Sequence, residues 1–262
     1  MHFTKYNGLG NDFIFLDGPA AQQIGDPCAL ARRLCDRHTG IGADGLVLLL
    51  PSSVADIRMR IINSDGSEAE MCGNASRCVP LHLFQTGQLN QKHITLETLA
   101  GLIETEIVDA QKNWVRVNMG TPKQVDSLCV DVKQTNFVGM RVCMGNPHFV
   151  ILVDDVEAVD VAYWGPLLEK HPAFPHKTNV EFVQVLDKNT VRMRVWERGA
   201  GITRACGTGA CATAVACMVQ GFSNKQITVK LDGGNLDIAW PNEREIFMTG
   251  PAQKVFEGDI EL

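Results

Sequence analysis

"EMCGNASRCVPLHLFQTG" (residues 70–87) reappears, altered but in step, as "RACGTGACATAVACMVQG" (residues 204–221). Each segment sets a cysteine before a glycine, Cys72 with Gly73 and Cys206 with Gly207, and each closes on a glycine, Gly87 or Gly221. The second is small or apolar almost throughout and has no proline, which predicts a helix buried on every side that stops at its glycine. The first carries Pro80, which removes one amide donor and is expected to kink the helix. Both segments predict a central helix that begins beside a Cys-Gly pair.

The register extends outward from the cysteines. Gly10-Asn11 matches Gly145-Asn146 at an offset of 135, and Asp44 matches Asn179 at the same offset. Asn63 and Glu197 each lie nine residues before their cysteine. "KHITLETLAGL" (92–102) echoes "KQITVKLDGGN" (225–235) with Gly101 on Gly234, and "VNMGTP" (117–122) loosely echoes "FMTGPA" (247–252). Ordered matches with so little drift indicate an internal duplication.

Between these markers lie short apolar or β-branched runs bounded by Gly, Pro, Asn or Asp, such as "DFIFLDG", "DGLVLLL", "DIRMRIIN", "HITLET", "NVEFVQVL", "VRMRVWER" and "QITVKL". They read as strands. Further helices are expected at "DPCALARRLCDRH", started by Asp26 with Pro27 in its first turn, and near "VAYWGPLLEKH". The fold class is therefore α+β: two pseudo-symmetric strand-rich domains, each a barrel-like mixed sheet around a central helix. Residues 1–122, completed by a C-terminal strand, form one half and 123–262 the other, with the join near 122–136 and an active site expected in the cleft between them.

At 262 residues, with a net charge of −6 and a pI near 5.6, the chain has no basic footprint for nucleic acid or an anionic membrane surface. A small molecule is the expected partner. No basic-then-apolar leader opens the sequence and no apolar run approaches a membrane span, so the expected location is cytoplasmic. Nine scattered cysteines suggest reduced thiols, most of them inert core residues.

A cysteine at Cys72 could be a small buried hydrophobe, half of a metal clip with Cys78, half of a disulfide or a reactive thiolate. Zinc is disfavoured, because neither Cys72 with Cys78 nor Cys206 with Cys211 has the close knuckle spacing and no His pair follows. The first amides of a helix lack intrahelical acceptors and carry partial positive charge, which favours a thiolate there. The following glycine leaves those amides open to a carboxylate. Two such ends, related by the duplication, suit two-base racemisation: one thiolate removes an α-proton, the opposite thiol returns one, and amides stabilise the carbanion. Neither a metal nor any other cofactor is required.

The motifs "NGLGNDF", "GIGADGL", "NSDGSEAEMCGN", "MGNPH", "TNVEF", "ERGAGITRACGTGACA" and "MTGPA", spread over essentially the whole chain, resemble those of the diaminopimelate epimerase family. That family is similar in fold to the proline racemases. The resemblance implies a cofactor-independent isomerase, a homodimer, that converts LL-2,6-diaminopimelate to the meso form. Cys72 and Cys206 then match the acid/base cysteines, and Gly73, Asn74, Gly207 and Thr208 the helix-start residues that hold the reacting carboxylate. Asn11, Asn63, Asn146, Asn179, Glu197 and Arg198 match substrate-recognising positions, while His148 and Glu197 match positions that tune the cysteines. Ala75 stands where the family usually has glycine, and Pro80 is unusual in the helix. The alternatives are a racemase of another amino acid such as histidine, a proton-shifting isomerase on the same fold, and a catalytically silent amino-acid-binding module.

Overall fold

The structure is a computed structural model that describes residues 1–261. The chain divides into two compact units, Met1–Val117 with the segment from Gly250 onward, and Asn118–Thr249.

The first unit runs β1 (His2–Gly8), β2 (Asn11–Leu16), α1 (Gly18–Gln22), α2 (Pro27–Cys35), β3 (Gly45–Leu50), β4 (Ile57–Asn63), β5 (Glu68–Ala69), α3 (Gly73–Gln85), β6 (His93–Thr98), β7 (Gly101–Asp109) and β8 (Trp114–Asn118). The second runs β9 (Val125–Val132), β10 (Thr135–Cys143), β11 (Pro147–Leu152), α4 (Val161–Glu169), β12 (Asn179–Asp187), β13 (Thr190–Glu197), β14 (Gly201–Ile202), α5 (Gly207–Val219), β15 (Gln226–Leu231), β16 (Gly234–Ala239) and β17 (Phe247–Pro251). The chain then returns to the first unit as β18 (Gln253–Asp259).

Strand pairing repeats between the units. In the first, β1 lies antiparallel to β2 and β18, β2 parallel to β3, β3 antiparallel to β4, β4 antiparallel to β5 and parallel to β6, and β6 antiparallel to β7. In the second, β10 takes the place of β1 with β11 and β9 as its partners, and β11 through β16 then follow the same sequence of parallel and antiparallel pairs. An identical pattern of parallel crossovers in two chain segments is the structural form of the duplication. Matching turns accompany it: Gly10 and Gly145 have φ of 92° and 96°, which glycine adopts without steric cost, so each repeat sets an asparagine directly after a turn.

One sequence match needs correction. Phe13 faces Gly45 in the β2/β3 register, whereas His148 faces Asn179 in the β11/β12 register. Gly45 also faces Asn63, the counterpart of Glu197. Asn179 therefore corresponds to Gly45, not Asp44, because the segment leading into the second of these strands is one residue shorter. By the same register, Val47 corresponds to Glu181.

Sequence pattern explains the elements. Asp26 caps α2 by accepting a hydrogen bond from the Ala29 amide at 2.9 Å, with Pro27 at its start, as the sequence predicts. The helix buries Ala31, Leu34 and Cys35 against Ile14, Leu16, Leu46, Leu48 and Ile62. In the second unit Phe149, Val180 and Phe182 pack with Leu168 of α4 and with Phe174. Residues Ala210 to Cys217 of α5 are all fully buried, which an apolar helix free of proline permits. Helix α3 passes through Pro80 as one element and ends at Gln85, with Gly87 at φ 71° beyond it; α5 ends with Gly221 at φ 73°. Residues 122–136, expected to hold the join, contain β9, which is paired with β10 inside the second unit. The apolar run "RVCMGNPHFVILVDD" is divided between two strands, β10 and β11, by the Gly145 turn.

Candidate active site

Cys72 and Cys206 are the N-cap residues of α3 and α5, with extended backbones of φ −139° and −125°. Their surroundings within each unit differ.

In the first unit the Cys72 sulfur lies 3.8 Å from Oδ1 of Asn11, which also accepts a hydrogen bond from Nδ2 of Asn74 at 3.1 Å. Asn11 in turn donates to Oδ2 of Asp44 at 2.7 Å. Asp44 and Asp12 share Arg37, and Lys5 closes the cluster at 2.8 Å from Asp12. Burial alone would raise the Asp12 pKa, but hydrogen bonds and charge from Arg37 and Lys5 outweigh it and bring the value from 3.8 down to about 2. A folded value below the unfolded one stabilises the protein above about pH 4, and that stabilisation is lost as pH falls through about 2. Asp12→Asn should remove about 1 kcal/mol of acid-sensitive stability after solvent screening, seen as a shallower fall in Tm between pH 4 and 2. A variant whose acid profile superimposes on wild type would refute that assignment.

Asn63 hydrogen bonds within its own turn, from Nδ2 to the Ser67 hydroxyl at 2.9 Å and from its amide to the Ser67 carbonyl at 2.8 Å. No hydrogen bond to Asn11 or Asn74 accompanies these.

In the second unit the Cys206 sulfur accepts from the Gly209 amide at 3.3 Å and lies 3.6 Å from the Thr208 hydroxyl. The Glu197 carboxylate, which accepts from the Thr203 hydroxyl, stands near enough for its charge to act on that thiol. Asn146 Nδ2 donates to Thr208 at 3.2 Å and its Oδ1 lies 3.0 Å from His148 Nε2, so Asn146 to Thr208 repeats Asn11 to Asn74. Asn179 ties two strands together, donating to the Pro147 carbonyl at 2.8 Å and accepting from the Arg198 amide at 2.9 Å. The Arg198 guanidinium rests on the His176 carbonyl at 3.1 Å.

One residue of this site is absent from the sequence reading. Glu181 on β12 is fully buried and its Oε1 lies 2.6 Å from His148 Nδ1, with both side chains closed to solvent. Its Oε2 is buried with no hydrogen-bond partner. A β-carbon built on Gly209 would meet Glu181 Oε1 at 2.7 Å and the Cys206 sulfur at 3.1 Å, so the carboxylate approaches the α5 helix start and any larger residue there would have to displace it. The signal in the sequence was a single acid inside the apolar run "NVEFV".

This charge reverses one expectation. A helix start was expected to favour thiolate, yet burial, then the negative charges of Glu197 and Glu181, push the Cys206 thiol well above its usual value against the opposing Thr208 and Gly209 contacts. Burial likewise raises the pKa of Glu197. Cys78, Cys211 and Cys217 are buried core residues. Among the described residues no group of three His, Cys, Asp or Glu side chains is placed to hold a metal ion.

The profile of the diaminopimelate epimerase family matches residues 3–125 and 140–255. The chain belongs to the diaminopimelate epimerase family. It is 50% identical over 273 residues to the diaminopimelate epimerase of Desulforudis audaxviator, covering 98% of each chain. It is 49% identical to that of Pelotomaculum thermopropionicum, covering 99% of this chain and 98% of the other. Among solved structures, a hydroxyproline epimerase from Agrobacterium vitis with bound trans-4-hydroxy-L-proline superposes with a TM-score of 0.73 at 18% identity, over 98% of this chain and 91% of that one. A Bacillus anthracis phenazine biosynthesis protein superposes with a TM-score of 0.76 at 16% identity, over 100% and 99%. At that identity these two establish the fold alone. No helix among the described residues is long and apolar enough to cross a membrane.

Proposed function

We propose that the protein is a cofactor-independent epimerase that inverts one α-carbon of LL-2,6-diaminopimelate to the meso form, with Cys72 and Cys206 as the two proton-handling groups. The observation that carries the reading is the duplicated N-cap cysteine, each on a helix whose first residue is glycine. The thiolate takes the α-proton, the C–H electron pair is held as a carbanion beside the carboxylate, and the thiol on the other face of the carbon delivers its own proton. The two sulfurs end with their protonation exchanged. No other reactant is consumed.

Burial, then the negative charges of Glu197 and Glu181, raise the pKa of the Cys206 thiol, which suits Cys206 to deliver a proton. The amides at the starts of α3 and α5 are suited to the reacting carboxylate, and Arg198 to the carboxylate of the distal end. The reading includes a cytoplasmic homodimer, as the family resemblance implies.

The test is α-proton exchange in heavy water with LL-diaminopimelate and L-histidine side by side. Deuterium incorporation accompanied by meso product is expected with the first and none with the second. Exchange confined to histidine would replace the reading with an amino acid racemase of different substrate.

A further inference from the structure

We propose that Arg77 and Asp44 are positioning residues that together fix which end of the Asn11 side-chain amide faces the Cys72 sulfur. Arg77, on α3, is the largest fully buried side chain among the described residues. Its Nη2 donates to Asn74 Oδ1 at 3.1 Å, its Nε to the Pro251 carbonyl at 3.2 Å and its Nη1 to the Gly73 carbonyl at 3.4 Å. A guanidinium only donates. Asn74 must therefore turn its oxygen toward Arg77 and its NH2 toward Asn11 Oδ1.

The other end of the chain is an acceptor. Asp44 Oδ2 receives Asn11 Nδ2 at 2.7 Å and the Asp12 amide at 3.0 Å, while Oδ1 receives Arg37 at 2.8 Å. A carboxylate only accepts. With a donor fixed at one end and an acceptor at the other, neither intervening amide can reverse without opposing like groups. The consequence falls on Cys72, which meets a carbonyl oxygen, a partner for the thiol rather than the thiolate.

The second unit lacks this lock. Asn146 lies between the His148 ring and the Thr208 hydroxyl, and each of those can donate or accept. At the positions of Arg77 and Asp44 that unit has Cys211 and Thr178. The duplication has thus kept the asparagine and changed what orients it.

The experiment uses Asp44→Leu, Arg77→Met, Arg77→Lys and the double variant D44L/R77M. Either single variant leaves one end of the chain in place, Asn74 still turning its NH2 to Asn11 or Asp44 still accepting from Asn11; the double variant removes both, and Asn11 then turns its NH2 to Cys72. Iodoacetamide modification of Cys72, followed peptide by peptide across pH without substrate, should shift about half a pH unit or more toward acid in the double variant and much less in either single, because a donor favours the thiolate. This rate measurement does not depend on the epimerase reading; the kinetic arm does. In that arm kcat should fall about tenfold in the double variant, more than the product of the two single losses, with Arg77→Lys close to wild type. A double variant whose modification profile and kcat stay within twofold of wild type, or whose losses equal the product of the singles, would overturn the proposal. Where Arg77→Met does not fold, Arg77→Gln takes its place in both proteins, since its side-chain oxygen can face Asn74, and the same outcomes decide. A shifted modification profile in a protein that does not turn over LL-diaminopimelate would leave the lock standing and remove the epimerase reading.

Discussion

Cys206→Ser is expected to lower turnover of LL-diaminopimelate by roughly a thousandfold, in the range that a positioned acid or base contributes, while leaving the protein folded. The second half of that expectation makes the first informative. Serine is among the preferred N-cap residues, and its hydroxyl can accept from the Gly209 amide as the sulfur does. Stability should stay level or rise slightly, so a loss of rate cannot be assigned to a damaged helix start. What serine cannot do is trade its proton with a carbanion near neutral pH, because an alkoxide is far less accessible than a thiolate.

Cys72→Ser should behave alike, its hydroxyl reaching the Asn11 oxygen that the thiol now approaches. The measurement is epimerisation followed by chiral chromatography beside a urea denaturation curve. Turnover within threefold of wild type in either variant would sink the two-thiol mechanism.

How much of this was legible in the sequence depended on whether a residue's role was written in its neighbours. The two helix starts were legible because Cys-Gly followed by an uninterrupted helical run has local meaning, and the duplication supplied an internal control. Asn11 and Asn146 were legible through the glycine turns before them. Arg77 was not, because a lone charge inside "CGNASRCV" ordinarily marks the wet face of a helix; its full burial follows from tertiary surroundings that include the distant Pro251 carbonyl. Strands β1, β9 and β18 were missed for a related reason. "QKVFEGD" is exposed at nearly every position, so no buried alternation marks it, and its pairing with β1 joins residues more than 240 apart in the chain. At Cys206 the thiolate expectation is opposed because the helix end is worth only about 0.3–1 kcal/mol at exposed sites, whereas burial beside two carboxylates acts in the opposite direction.

The buried His148–Glu181 pair yields the other large effect, and the first unit indicates how to test it. At the corresponding positions that unit has Phe13 and Val47, both buried and apolar. The same arrangement of strands therefore folds without a buried polar pair there. Removing one partner alone leaves an uncompensated buried group, which typically costs about 3–5 kcal/mol, whereas replacing both by packed apolar residues is often neutral or stabilising. Glu181→Val should accordingly lose about 3 kcal/mol of unfolding free energy, and the double variant H148F/E181V should recover most of it by reproducing the pairing of the first unit. Activity should not recover. Without Glu181 and His148, Cys206 loses one of the two carboxylates whose charge adds to burial in raising its pKa, and Asn146 loses the ring that its carbonyl faces. Urea denaturation and epimerisation rates on the three proteins separate the two roles. A double variant as unstable as Glu181→Val would show that the pair serves the fold, and a double variant with near wild-type turnover would show that it does not serve the chemistry.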